Sequence, residues 1–131
     1  MCLEILKESI RKPKIAKEDI EVFKVVEDYR GKRYKDDDRY GKIMTPYRGF
    51  AVVMGETYKT KFSYNLIGDV ERGFHSYCDL PTAKQYLDKY GWSVSRIVRC
   101  VIPKGSRYHK GDFNGRASYA STRLKYIEFV N

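Results

Sequence analysis

Cysteine, proline and histidine are sparse in this chain, and long apolar runs are missing. Only Cys2, Cys78 and Cys100 occur among 131 residues, with no Cys-x-x-Cys and no Cys/His ligand spacing. An odd number of scattered thiols excludes a disulfide framework and a structural zinc site and points to a reducing compartment, so the cytoplasm is the expected location. No stretch approaches the ~20 apolar residues of a spanning helix, and the first residues lack the apolar core of a signal peptide. A membrane is therefore not an expected partner. A Walker loop, a Rossmann fingerprint, a Ser/His/Asp order and a carboxylate pair are also missing. Neither a cofactor nor a metal is expected. Acids are scarce beyond the N-terminal third, where only Glu56, Asp69, Glu71, Asp79, Asp88, Asp112 and Glu128 remain.

What is present is a globular composition, 42% apolar and 33% charged, in a length that suits one domain over 1–131. Residues 1–18 read as an N-terminal arm, with room for a short helix before Pro13, and 30–42 as an exposed loop. The net charge is +9. It is uneven: residues 99–131 carry seven basic side chains against the acids Asp112 and Glu128, whereas residues 1–45 carry twelve against ten. A local excess of this kind suits a polyanion, whether a nucleotide, a nucleic acid or an acidic protein surface, and it equally suits simple solubility.

Periodicity predicts an α+β fold, a mainly antiparallel twisted sheet of five to seven strands with one main helix. Asp19–Val26 reads as the first strand, rich in β-branched residues. Tyr47–Met54 reads as a strand that turns at Gly55-Glu56 into Thr57–Tyr64, where Tyr58, Thr60, Phe62 and Tyr64 alternate with polar residues. The helix is expected at about 80–90. Pro81 lies in its first turn, Ala83, Tyr86, Leu87 and Tyr90 form one apolar stripe, and Gly91 is a left-handed cap. Strands follow at Val94–Ile102 and Arg123–Val130, with a basic, Tyr- and Gly-rich loop between them.

Candidate binding residues cluster in two places. His75, Ser76 and Tyr77 sit near a strand end before the helix, where a histidine serves as base, as ligand holder or as packed core. Lys104, Arg107, His109, Lys110 and Arg116 belong to the basic loop, where guanidinium forks and glycine-exposed amides match phosphate. A solvated loop is the plain alternative for each of them. Tyrosine is overused, with twelve copies; several lie near turns, where a ring can stack on a base. Cys78, three residues after His75, is a conceivable nucleophile, whereas Cys100 reads as core.

The order of motifs resembles the ADP-ribosyltransferase fold. Tyr47-Arg48-Gly49 is similar to the element that supports the nicotinamide nucleotide in that family. Phe74-His75-Ser76 is similar to its Phe-x-Ser strand, and Ile102-Pro103-Lys104-Gly105 to the following strand end. The resemblance covers about 47–130 and implies a nucleotide cleft that includes Arg48. It departs at the position of the catalytic glutamate: after Ser121 the chain has Thr122, Arg123 and Leu124, and Glu128 comes late in the strand. An arginine there favours a bound phosphate. The Gly-x-His-Ser, Ile-Pro-Lys-Gly and Tyr-Ala-Ser patterns also resemble small proteins of gut bacteria and their phages, which implies a setting in defence or counter-defence.

Three functions follow as expectations. The first is non-catalytic binding of a nucleotide-like anion through Arg48, His75, Ser76, Tyr77, the basic loop and Arg123. The second is a basic nucleic-acid- or protein-binding inhibitor. The third is a transferase that uses Glu128 or Glu71 with His75.

Overall fold

The computed structural model describes residues 12–46, 49–65, 68–113 and 115–130. Twelve strands occur among them: β1 (Lys14–Ile15), β2 (Ile20–Asp28), β3 (Ile43–Met44), β4 (Ala51–Val52), β5 (Thr57–Lys59), β6 (Ser63–Tyr64), β7 (Val70–Arg72), β8 (Phe74–Tyr77), β9 (Ser95–Ile102), β10 (Arg107–Phe113), β11 (Arg116–Ser121) and β12 (Arg123–Val130). The single helix among these residues, α1, spans Leu80–Tyr90. Ten strands form one sheet in the order β1-β10-β11-β8-β2-β9-β12-β5, with β3 paired to β2 and β4 to β3, and β6 and β7 form a separate pair. Strand accounts for 49% and helix for 12%, so an α+β domain of five to seven strands is incorrect. The architecture is dominated by a larger antiparallel β-structure.

The added strands come from the basic segment. Residues 104–116 were expected as a loop. Instead, β10 and β11 form a regular antiparallel hairpin from Tyr108↔Ser121 to Phe113↔Arg116, and Gly115 (φ 79°) serves the turn. Alternation accounts for this: His109, Gly111 and Phe113 are buried on one face, while Lys110 is exposed and Tyr108 and Asp112 are half-buried on the other. Cations scattered over an alternating pattern read as loop unless the buried positions between them are recognised. At the N-terminal side, β1 adds to β10, and the Ala16 amide and carbonyl bond Ser106 and Gly105 across the edge.

Other boundaries also shift. The expected 47–54 strand is reduced to β4, and Tyr47 and Arg48 lie outside the described residues. The expected 57–64 strand breaks into β5 and β6, which join different sheets, and β5 pairs with β12 and not with β4. Gly55 nonetheless turns the chain: its amide donates to the Tyr126 carbonyl at 2.7 Å with φ 89°. The stretch 30–42 contains one short 3-10 turn, Lys32–Tyr34, and its charged residues remain largely exposed.

The sheet buries both faces. Phe23, Val25, Ile97 and Tyr77 meet Ala83 and the half-buried Leu80, Tyr86 and Leu87 of α1 on one face. Val22, Val26, Val98, Cys100, Ile102, Leu124 and Tyr126 build the other core, which Ile43 of β3 and Val52 of β4 help to enclose. Tyr90, expected in the buried helix stripe, is instead 53% exposed at the last turn of α1. Asp79 caps α1 by accepting from the Thr82 amide at 2.8 Å and from its hydroxyl at 2.6 Å. Removing an N-cap of this type costs about 1 kcal/mol. Asp79→Ala is therefore expected to lower stability by that amount in urea titration, with Asp79→Ser recovering most of it.

Candidate functional site

A gap in the pairing of β2 opens a cavity. On one edge β2 is paired continuously with β9, from Ile20↔Ile102 to Glu27↔Ser95. On its other edge it meets β8 only at Phe23↔Tyr77, and β3 only at Glu27↔Met44 and Asp28↔Ile43. Between these points, at Lys24–Val26, no described strand pairs with that edge. β8 meets β2 only at its last residue, with Phe74–Ser76 unpaired to it, and the Lys24 ammonium fills the divergence by donating to the His75 carbonyl at 2.6 Å.

The cavity has a volume of about 410 Å³. Its walls are aromatic: Phe50, Tyr58, Phe74, Tyr77, Tyr86, Phe113 and Tyr126. Lys24 lies at the floor, and the exposed Lys59 and Arg72 lie at the rim. No aspartate or glutamate is present among the described lining residues. Hydroxyls are supplied by Thr45, Thr60, Ser76 and Ser118. Ser76 is only 3% exposed, and its Oγ has no hydrogen-bond partner among the described residues. A buried hydroxyl of this kind is normally satisfied, so it offers a free donor and acceptor to whatever occupies the cavity. The His75 ring packs on Phe113 at 5.4 Å, and the Tyr77 ring on Tyr86 at 5.6 Å.

Burial sets the electrostatics. Lys24 is half-buried as a residue, yet its ammonium is enclosed, and the loss of solvent lowers its pKa from 10.5 to about 8, with a small opposing effect from Cys100. Burial raises the neighbouring Cys100 thiol to about 12, so Lys24 has no anionic partner in the core at neutral pH. Cys78 is likewise raised by burial and does not line the cavity, which leaves no thiolate there to act as a nucleophile.

The residues singled out from sequence therefore separate. His75, Ser76 and Tyr77 line the cavity together, while Arg48 lies outside the described residues. Lys104, Arg107, His109, Lys110, Arg116 and Arg123 do not line it. Arg123 clamps the β9–β10 turn through bonds from Nε to Ser106 Oγ (3.1 Å) and from Nη2 to the Lys104 carbonyl (3.0 Å). The Lys104 amide is held by Asp19 Oδ1 at 2.8 Å, and the Arg107 amide by Thr122 Oγ1 at 3.1 Å. Lys110 stacks on Tyr119 at 5.7 Å, and Arg116 on Tyr86 and Tyr90 at 5.7 and 5.4 Å. His109 is 1% exposed; its Nε2 shares a 2.7 Å hydrogen bond with the Tyr64 hydroxyl, and its ring packs on Phe62. Glu128 pairs with Arg99 at 2.7 Å on the outer surface. Glu71 is exposed on β7 and does not line the cavity.

Lys24, Lys59 and Arg72 were missed as site residues. Lys24 left a legible signal, because it interrupts the apolar stripe Val22–Lys24–Val26 on one face of a strand, where a cation is costly unless it is used. Among the described residues no group of His, Cys, Asp and Glu is placed to hold a metal ion, and no helix is long and apolar enough to cross a membrane. Compared with known proteins, the chain matches no family model, and neither a curated protein nor a solved structure is significantly similar to it.

Proposed function

We propose that the protein binds a small organic anion of nucleotide size in the β2–β8 cavity, with a flat apolar body against the aromatic walls and its charge at the Lys59–Arg72 rim. The observation that carries this reading is the composition of the lining: three cations and a histidine, with no carboxylate among its described residues. The volume is within the range of small-molecule sites, and aromatic rings with a few placed polar groups are their usual walls. No acid capable of acting on a ribose lines the cavity, and Glu128 is held on the outer surface by Arg99. The reading is therefore a binder and not a transferase. The setting in defence or counter-defence stays with the resemblance to phage and gut-bacterial proteins.

Calorimetric titration with AMP, NAD, ADP-ribose, cyclic dinucleotides and aromatic carboxylates tests this. At least one should bind with micromolar affinity and raise the melting temperature at millimolar concentration. Arg72→Gln should then weaken binding about tenfold, the effect of one charge-assisted contact. No ligand binding at millimolar concentration would overturn the reading. Binding of single-stranded nucleic acid that falls steeply with salt and ignores Arg72→Gln would move the function to the outer basic surface.

A further inference from the structure

We propose that Lys24 is a reactive amine that condenses with an aldehyde or ketone carbonyl at the deep end of the cavity ligand, forming an imine. The inference rests on the cavity being the binding site and specifies what that site accepts: a carbonyl compound with an apolar body and an anionic outer end. Its basis is placement. Of the two lysines among the described lining residues, Lys24 is enclosed at the floor, whereas Lys59 stands exposed at the rim. Its Nζ is anchored to the His75 carbonyl at 2.6 Å. A neutral amine that gives one N–H to that carbonyl directs its lone pair away from it, and Lys24 lines the cavity.

The chemistry is balanced without an oxidant or reductant. The lone pair of Nζ attacks the carbonyl carbon, a C–N bond forms, and the carbonyl π pair moves to oxygen, which takes a proton released by nitrogen. Nitrogen then forms a double bond to carbon as the C–O bond breaks, and the oxygen leaves as water with the second proton given up by nitrogen. The overall change is amine plus carbonyl giving imine plus water. The Ser76 hydroxyl, buried and without a partner among the described residues, is available to hydrogen-bond the intermediate hydroxyl. Aromatic walls limit the return of water to the imine. The charged and titratable groups around the amine are Lys59 and Arg72 at the rim, His75 and Tyr77 on β8, Tyr58 on β5, Tyr86 on α1, Tyr126 on β12 and Cys100 on β9. None of these described groups is a carboxylate that would balance the charge of Lys24. Desolvation leaves on the order of a hundredfold more free amine at pH 7 than an ordinary surface lysine has.

Pyridoxal 5′-phosphate is a suitable probe, having a flat ring, a phosphate and an aldehyde; pyridoxine 5′-phosphate is its counterpart that cannot condense. The full chain is incubated with the aldehyde and cyanoborohydride at pH 7, and the reduced adducts are mapped by peptide mass spectrometry. Lys24 is expected to label at least tenfold faster than any other lysine, pyridoxine 5′-phosphate to protect it, and Lys24→Arg to remove the fast phase. Should Lys24→Arg not fold, Lys24→Met, and the site map of the unsubstituted protein, give the same readout. Labelling spread over the lysines with no preference for Lys24 overturns the imine. If pyridoxine 5′-phosphate still binds in that case, the anion cavity stands alone; if it does not bind and the nucleotide panel also fails, both readings fall.

Discussion

Lys24→Met is expected to make the protein more stable at pH 7, by about 2 kcal/mol, and the gain should vanish in alkali. The lysine is protonated in the folded chain only below about pH 8, against about 10.5 in the unfolded chain. Below pH 8 both states carry the proton, and the folded state bears the whole desolvation cost, on the order of 3 kcal/mol. Between pH 8 and 10.5 the unfolded chain binds more protons, so the contribution of Lys24 to stability rises with pH. Above that window both states are neutral and the cost is gone. Methionine keeps the length of the stem and removes the charge, and leaves the His75 carbonyl without its donor at a cost of about 1 kcal/mol. The thiol of Cys100 and the hydroxyl of Tyr29, both raised to about 12, oppose the trend above pH 9, because the unfolded chain ionises them first. They are common to both proteins, so the difference between two urea series isolates Lys24. A variant that is less stable at pH 7, or a gap that does not change with pH, would refute the assignment. A cation that weakens the fold while lining its main cavity is the usual mark of a residue retained for what it binds.

Gly91→Ala is expected to cost about 2–3 kcal/mol, a larger effect than backbone conformation alone would suggest. The sequence pattern predicts a left-handed cap here, yet Gly91 has φ −70° and ψ 159°, an extended geometry that any residue adopts. On dihedral grounds alanine would even be mildly stabilising. The constraint is steric. A Cβ at Gly91 falls well inside contact with the Leu87 carbonyl oxygen, which also accepts the Gly91 amide at 2.8 Å, and within 2.9 Å of Leu87 Cδ1. Backbone oxygen cannot rotate away, so the last turn of α1 must unwind, loosening Leu87 from the face shared with Phe23 and Ile97. Equilibrium unfolding of the alanine variant measures it. A loss under 0.5 kcal/mol would show that the helix end shifts freely.

These cases show what was legible beforehand. The helix and its Asp79 and Pro81 start were readable because N-caps and apolar spacing are local properties, set within one turn. The cap at Gly91 was misread because its constraint lies in a contact with the preceding turn and not in its own dihedrals. His109 was read as a residue of a basic loop, contacting an anion or simply solvated, on the strength of its cationic neighbours. It is core, because Tyr64 and Phe62, more than forty residues away in sequence, close over it.

A globular β-rich chain, the helix at 80–90 and the shared location of His75, Ser76 and Tyr77 were legible from local pattern, since three consecutive strand residues must stay together. The number of strands in the sheet, the hairpin formed by the basic segment, the stacking of Lys110 and Arg116 on tyrosines, and the meeting of Lys24 with β8 came from the folded arrangement. The physical reason is that strand partners and cavities are made by pairing between distant segments, and by where that pairing stops. The site exists because β2 lacks a strand partner on one edge at Lys24–Val26, a gap that no local pattern encodes.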